Sequence, residues 1–449
     1  MPAVLERARI VAPPGWSRWL VPPAALAIHL AIGQAYAWSV FKAAISSDTA
    51  LGLSGTATAL PFQLAIVMLG LSAAVLGTKV EVHGPRWAMS MSLLFFCSGL
   101  LVSALGMSIG QFWLVVLGYG VIGGIGLGIG YISPVSTLIK WFPDRPGMAT
   151  GIAIMGFGGG ALVASPLTTK LLSAYGGNTT SSIATTFLTL GVGYAIFMAL
   201  GVVLIRVPAD DWRPAGWTPP EPKEGEHNQR VSAANAVKTP QFWLLWIVLC
   251  FNVTAGIGIL ERAAGIYTDF FPDPAAPESV AAAAAGFVAF LSLTNMLGRF
   301  VWSSVSDLVG RKNIYRMYLG VGALLYLYIS LFTNSNKVLF LVSAMVILSF
   351  YGAGFATVPA YLRDLFGTYQ VGAIHGRLLT AWSVAGVLGP LIVNAIADLG
   401  EAGTTGRYVP AFVTMIVLLS IGFVANELIK PVDPKYSEAA PTREEGVRT

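Results

Sequence analysis

Arg299 is the residue whose type and setting most directly call for chemistry. It interrupts the apolar run Ala281 to Trp302, where Asn295, Gly286 and Gly298 are its few small or polar neighbours. A cation at the centre of a bilayer costs from about 2.5 kcal/mol upward. A chain that keeps one therefore sets it against a watery cavity or an anion, and a guanidinium can hold a carboxylate through two parallel hydrogen bonds. Arg299 precedes Asp307 by eight residues, about 12 Å along a helix at roughly 1.5 Å per residue, which puts it near mid-depth. Asn295 lies four residues earlier on the same helical face. It could bond a carboxylate or a hydroxyl, orient Arg299, or bridge two helices. The competing role for Arg299 is structural: snorkelling to the membrane surface or bonding backbone carbonyls.

Other side chains could complete such a site. Tyr351 and Phe355 stand at i and i+4 in one apolar run, and Tyr119 sits in another among Gly118, Gly120, Gly123, Gly124, Gly126, Gly128 and Gly130. Aromatic rings can wall a small organic acid while their hydroxyls bond its oxygens; core packing is the alternative for each. His29 is central in the first apolar run, and histidine titrates near neutrality, so it is a candidate proton carrier or a neutral residue at a helix contact. Glu261 and Asp269 close the outer end of the seventh run, where they could gate or receive protons. His375 and Arg377 fall at the mouth of the eleventh as gate or interface residues.

The elements that must position these residues follow from composition. Of 449 residues, 55% are hydrophobic and 11% charged, with mean hydropathy +0.70, whereas soluble domains carry about 25% charged residues. Twelve stretches are long and apolar enough to cross a bilayer: 19–41, 57–77, 87–107, 112–139, 148–172, 183–205, 241–261, 280–304, 314–333, 338–362, 375–397 and 408–429. The expected fold is all-α, with twelve transmembrane helices in two pseudo-symmetric six-helix bundles. With the N-terminus inside, 21 of the 27 Lys and Arg residues fall on inside segments and five outside. That imbalance predicts both termini in the cytoplasm and accounts for the basic balance without nucleic acid. The start of the chain is mixed and proline-broken, with no sign of a cleaved signal peptide. Cys97 and Cys250 lie inside spans and imply no disulfide.

Residues 206–239 are rich in Pro, Glu and Lys and read as a cytoplasmic linker. The organisation is then a 1–18 cytoplasmic segment, a 19–205 bundle, the 206–239 linker, a 240–430 bundle and a 431–449 cytoplasmic tail. The two halves echo each other. Glu81 to Asp307 and Gly84 to Gly310 are both 226 residues, and Gly151 to Gly376 is 225, a shared offset that argues for an internal duplication. The repeated turns carry an acid, a glycine and basic residues: Glu81, Gly84 and Arg86, then Asp307, Gly310 and Arg311. An acid at such a helix end can pair with a basic residue and with the positive N-terminus of a neighbouring helix. Such a pairing could latch one state of a rocking bundle. Asp144 and Arg145, between the fourth and fifth spans, join this gating set.

These turns resemble the cytoplasmic-loop signature of the major facilitator superfamily. The second copy is the closer one, since Glu81 replaces the usual Asp and Pro85 precedes Arg86 in the first. Narrower segments are Gly33-Gln-Ala-Tyr-Ala-Trp-Ser-Val-Phe41, Trp141-Phe-Pro-Asp-Arg145, Tyr351-Gly-Ala-Gly-Phe-Ala-Thr-Val-Pro-Ala-Tyr361, and Ile374-His-Gly-Arg377 with Thr380-Ala-Trp382. In this order they resemble the oxalate/formate antiporter and monocarboxylate transporter branch, from about Trp19 to Leu428. The resemblance implies the twelve-helix fold and carboxylate transport, and adds Gln34 and Gln63 as polar positions of the first two helices. Carriers of the dianion oxalate have a second basic residue in helix 11; here Leu378 to Asp398 contains no Lys or Arg. A dianion would be left half unpaired at a lone Arg299, which favours a monocarboxylate such as lactate, pyruvate, formate or acetate.

The expected function is proton-coupled symport of a small monocarboxylate by alternating access, in a cell (plasma or inner) membrane, by a monomer. Its partners are the organic anion, protons and lipid. The alternatives are carboxylate/carboxylate antiport and a transport-inactive membrane sensor. Glycine clusters such as Gly156 to Gly160 lack the lysine of a phosphate loop. No nucleotide motif, metal-ligand cluster or nucleophile triad is present, so no enzyme activity and no cofactor are expected.

Overall fold

The computed structural model describes residues 7–209, 211–218, 229–332, 336–397, 399–401 and 404–438, without the side chains of 55, 56, 261, 277, 278, 281 and 282. Twelve helices in it are long and apolar enough to cross a membrane. They are α1 (Arg18–Ile45), α2 (Gly55–His83), α3 (Pro85–Ser108), α4 (Phe112–Trp141), α5 (Pro146–Ala174) and α6 (Thr180–Leu204). After the linker come α7 (Pro240–Phe270), α8 (Pro277–Val309), α9 (Arg311–Leu331), α10 (Lys337–Phe366), α11 (Val371–Ala397) and α12 (Thr405–Leu428). In hydrocarbon a backbone must satisfy its own hydrogen bonds, and a helix does so within one segment.

Local chemistry sets where these helices start and stop. Pro85, Pro146, Pro240 and Pro277 open α3, α5, α7 and α8, where a missing N–H costs nothing and φ is already helical. Thr179, Thr239 and Asn336 cap α6, α7 and α10 by accepting a backbone N–H from three residues on. Gly84 and Gly310, one repeat apart, adopt nearly the same left-handed φ of 86° and 87°. Only glycine takes that conformation without strain, so the repeated turn is the same in shape as well as in sequence.

Three helices are irregular inside the membrane. α1 tightens at Gly33–Ala37, α4 widens at Val116–Gly123, and α11 breaks at Leu379 between Val371–Leu378 and Thr380–Ala397. The first six helices pack on one another, with α1 on α4, α5 and α6, α2 on α4, and α3 on α4 and α6. The last six do likewise, with α7 on α10, α11 and α12, α8 on α10, and α9 on α10 and α12. Two seams join the sets: α5 lies against α8 and α10, and α2 against α11. Large apolar side chains such as Leu105, Ile196, Leu200, Leu324, Leu331 and Val424 are exposed on the outer helices, as lipid contact requires. Among the described residues the only β pairings are the isolated bridges Val11 to Val207 and Val231 to Ser437. They tie the two ends of the linker to the chain's two terminal segments.

Candidate functional site

Counting inward from the face that carries the linker, several side chains reach one depth. His29 is eleven residues into α1, Phe157 eleven into α5 and Trp382 eleven into α11. Tyr131 lies ten before the end of α4, Arg299 ten before the end of α8, and Phe355 eleven before the end of α10. At about 1.5 Å per residue this is roughly 16 Å, half of a hydrocarbon core of about 30 Å.

Arg299 is fully buried there. Two glycines make its slot: a Cβ at Gly158 of α5 would come within 2.6 Å of its Nε, and a Cβ at Gly352 of α10 within 3.0 Å of its Cγ. Its Nε donates to Asn295 Oδ1 at 3.2 Å and its Nη1 to the Ile154 carbonyl at 3.4 Å. The Tyr131 hydroxyl stands near the guanidinium, and no ion pair among the described residues involves Arg299. The guanidinium lies 5.4 Å from the centre of the Phe355 ring. Asn295, 4% exposed, therefore acts on Arg299, one turn away.

Around the guanidinium the rings form a box. Trp382 stands 4.5 Å from Phe355, 5.4 Å from Tyr131 and 5.5 Å from Phe157, centre to centre. Tyr131 and Phe157 meet edge to face at 5.3 Å. Farther from the linker face, Tyr351 stands edge-on to Phe355 at 5.4 Å, and its hydroxyl meets that of Tyr36 at 3.4 Å across the two helix sets. Two histidines adjoin the group, His29 at the same depth and His375 nearer the linker face, four residues into α11. His29 Nδ1 faces the Ala153 carbonyl at 2.5 Å and its Nε2 the Tyr131 carbonyl at 3.1 Å. His375, 1% exposed, lies 5.9 Å from the Tyr131 ring with no partner for either nitrogen. A neutral imidazole donates one hydrogen and an imidazolium two, so only the protonated form of His29 would satisfy both carbonyls.

Of the residues singled out in the sequence, Arg299, Asn295, Tyr351 and Phe355 come together in this group, with His29 beside it. Tyr119 and Gln34 do not join it. The Tyr119 hydroxyl donates to Gln34 Oε1 at 3.3 Å, and its ring packs at 4.3 Å on Trp38. Both stay within the first helix set. Gln63 is exposed, two turns beyond Gly70 on the α2 face that meets α11. The side chain of Glu261 lies outside the described residues. Tyr131, Phe157, Trp382 and Tyr36 are the site residues that sequence reasoning passed over. Equal distance from the span ends would have found the first three.

The gate residues cluster at the linker face. Asp307 takes the Gly147 and Met148 N–H groups at the start of α5, both at 2.9 Å, and Arg311 Nη2 at 2.5 Å. Arg311 also reaches Asp364 at 3.1 Å. Glu81 takes the Gly372 N–H at the start of α11 at 2.8 Å, and its cation is Lys140 at 2.8 Å. Arg86, in the same turn, points to the other side and donates to the carbonyls of Val202, Val203 and Ile205 at the end of α6. Asp144 is held by both nitrogens of Arg18, at 2.6 and 3.0 Å, while Arg145 is mostly exposed. Burial alone would raise the Asp144 carboxyl; the Arg18 hydrogen bonds prevail and keep it below the usual range. Thr150 and Ser383 add hydrogen bonds across the seams, to the carbonyls of Ala356 at 2.7 Å and Ile66 at 3.0 Å. The two helix sets are thus closed at this face.

Comparison with known proteins gives the same frame. The chain is similar to the oxalate:formate antiporter of Oxalobacter formigenes, 25% identical over 93% of each chain. It is also similar to the apicoplast pyruvate carrier 1 of Toxoplasma gondii, 26% identical over 75% of this chain and 69% of that one. Its fold matches the crystal structure of the Escherichia coli fucose:proton symporter with TM-score 0.66 at 14% identity, covering 94% of this chain and 100% of the other. The profile of the Major Facilitator Superfamily matches residues 25–271 and again 267–449, so that helices, repeat and family agree: this chain is a multi-pass membrane transporter of the major facilitator superfamily.

Proposed function

We propose that this transporter carries small monocarboxylates with protons by alternating access, Arg299 serving as counter-ion to the carboxylate. The observation that carries the reading is a fully buried guanidinium at mid-depth with no acidic partner among the described residues. A cation so placed is costly until an anion pairs with it. The antiporter and pyruvate-carrier relatives support a carboxylate as that anion. The absence of Lys and Arg from 378–398 supports a single negative charge.

Coupling follows from electrostatics. Arg299 and His29 bond the adjacent carbonyls of Ile154 and Ala153 on α5, and two positive charges there repel. A carboxylate on Arg299 cancels that repulsion, so the anion and the proton on His29 favour each other's binding. With both bound, the site is less costly to move past the lipid core, and the halves rock about it. The linker-face contacts of Asp307 and Glu81 break when that face opens. Both termini lie in the cytoplasm of a cell membrane, as the Lys and Arg distribution supports.

Uptake into proteoliposomes tests the reading. Arg299→Lys keeps a charge and loses the fork, so transport falls by at least about a hundredfold, two hydrogen bonds to a charged group being worth roughly 3 kcal/mol, while the protein still inserts. Normal uptake by Arg299→Ala would sink the proposal. The antiporter relative favours exchange as the second reading. A strict need for internal carboxylate would establish exchange; collapse of accumulation by an uncoupler would establish symport.

A further inference from the structure

His375 is 1% exposed, and neither of its ring nitrogens has a hydrogen-bond partner among the described residues. A neutral imidazole carries one donor and one acceptor, and leaving both unmade in a dry interior is costly. Its place in the fold gives that cost a use. His375 lies on Val371–Leu378, the linker-face segment of α11, which ends at the break at Leu379. The segment packs on α2 and α4 of the first helix set, and on α10 and the linker turn Ala233–Ala236 on its own side. Small residues bring the two sets together there. A Cβ at Gly77 of α2 would come within 2.9 Å of Ala373, and one at Gly376 within 2.2 Å of the Ala73 carbonyl. The Tyr131 ring of α4 is 5.9 Å from the His375 ring. Residues of the first set thus cover a histidine of the second, and separating the sets at this face uncovers it.

The surrounding elements give it no counter-charge. On α2 the face that carries Ala73 and Gly77 continues to Glu81, whose oxygens go to the Gly372 N–H and to Lys140 of α4, while Lys79 is exposed. The Tyr131 hydroxyl stands near Arg299. His29 of α1, 5.4 Å from the same Tyr131 ring, faces two backbone carbonyls. α10 brings Arg363 and Asp364 in its last turn, and Asp364 pairs with Arg311. Ala233–Ala236 has no ionisable residue, and Arg377, two residues on from His375, donates to the Ala233 carbonyl. None of these groups bonds His375. An imidazolium has two N–H groups to place, and the closed face offers an acceptor for neither, whereas water offers both once the face opens. We infer that His375 is a proton-operated wedge: protons on the linker side bind it only when that face is open, and so hold the face open. A ligand taken by one of two states shifts the balance toward that state, and the ligand here is the proton. The inference goes beyond the carboxylate reading and needs only that the two sets separate at the linker face.

Spin labels on Val82→Cys of α2 and Leu308→Cys of α8 report that separation as a distance; both positions lie at the linker-face ends of their helices and are 67% and 87% exposed, whereas the native Cys97 and Cys250 are buried. An uncovered imidazole titrates at about 6.5, so the ratio of open to closed form should rise about tenfold between about pH 7.5 and about pH 5.5. His375→Phe should hold that rise below about twofold. At about pH 7.5 it should also lower the ratio by at least about fivefold, because the closed form no longer buries an unpaired polar ring. His375→Gln is polar without titrating, and it should likewise lose the pH response. A wild-type ratio that is the same at both pH values would overturn the inference with no variant needed. So would a response that persists in either variant, since the proton would then act elsewhere. Lactate uptake by the doubly labelled protein keeps the two readings apart: uptake without a pH response strikes His375 alone, and a pH response without uptake strikes the carboxylate reading alone.

Discussion

The two turns related by the 226-residue repeat do the same task with different chemistry. Asp307 places both carboxylate oxygens on successive N–H groups of α5, at 2.9 Å each, and is paired by Arg311 of its own turn. Glu81 places one oxygen on the Gly372 N–H, in the first turn of α11, and gives the other to Lys140 of α4. The shorter side chain seats both oxygens on one helix N-terminus, where partial positive charge and hydrogen bonds coincide. The longer one divides itself between two helices. A duplicated motif thus keeps its backbone shape and its task while the charge network around it drifts. The seam of α5 against α8 is the more tightly bound.

That asymmetry ranks the expected effects of breaking each turn. Asp307→Asn weakens two bonds to the α5 N-terminus and leaves the buried Arg311 with Asp364 as its one remaining carboxylate among the described residues. Thermal unfolding in detergent should record a loss of about 2 kcal/mol. Glu81→Gln keeps an acceptor for the Gly372 N–H and loses only the partly exposed Lys140 pair, so about 1 kcal/mol or less is expected. Equal losses would erase the contrast between the turns. The double variant sharpens it: the turns sit on different seams, so their effects should add within about 0.5 kcal/mol. A clear departure would mean that the seams open as one unit.

The smallest effect is expected within one helix set, at Arg18 and Asp144. These groups are 19% and 15% exposed, and such a pair contributes about 1 kcal/mol or less. The Asp144 carboxyl is held below its ordinary value, against the upward push of burial. Its contribution is therefore complete above the unfolded value of about 3.9. It disappears as the pH falls through the lower folded value. Arg18→Gln should lower the melting temperature slightly at pH 7, and the difference should shrink as the pH falls through the acid range. A penalty that persists in acid would show that Arg18 acts through its packing on the Phe142 ring, 4.5 Å away.

Much of the fold was legible along the chain because the membrane imposes it locally. Long apolar runs must be helices, prolines and glycines mark their ends, and a cation inside such a run stands out against lipid. Arg299 and its neighbour Asn295 could be read this way, as could Tyr351 and Phe355 from their i, i+4 spacing. Tyr119 and Tyr131 show where that reading stops. Both lie on one glycine-rich helix, and either might have faced the centre. One packs on Trp38 inside the first set, and the other meets Trp382 of the second.

By itself, then, the sequence determined the number of crossings, the repeat, the turn shapes and the presence of one deep positive charge, since each depends on residues near one another in the chain. Only the tertiary structure decided which rings surround that charge, that Glu81 takes Lys140 instead of Arg86, and that Gln63 is exposed. A helix apolar on every side carries no mark of which face turns inward. That is decided by contacts such as Gly158 and Gly352 closing on Arg299, between residues far apart in the chain.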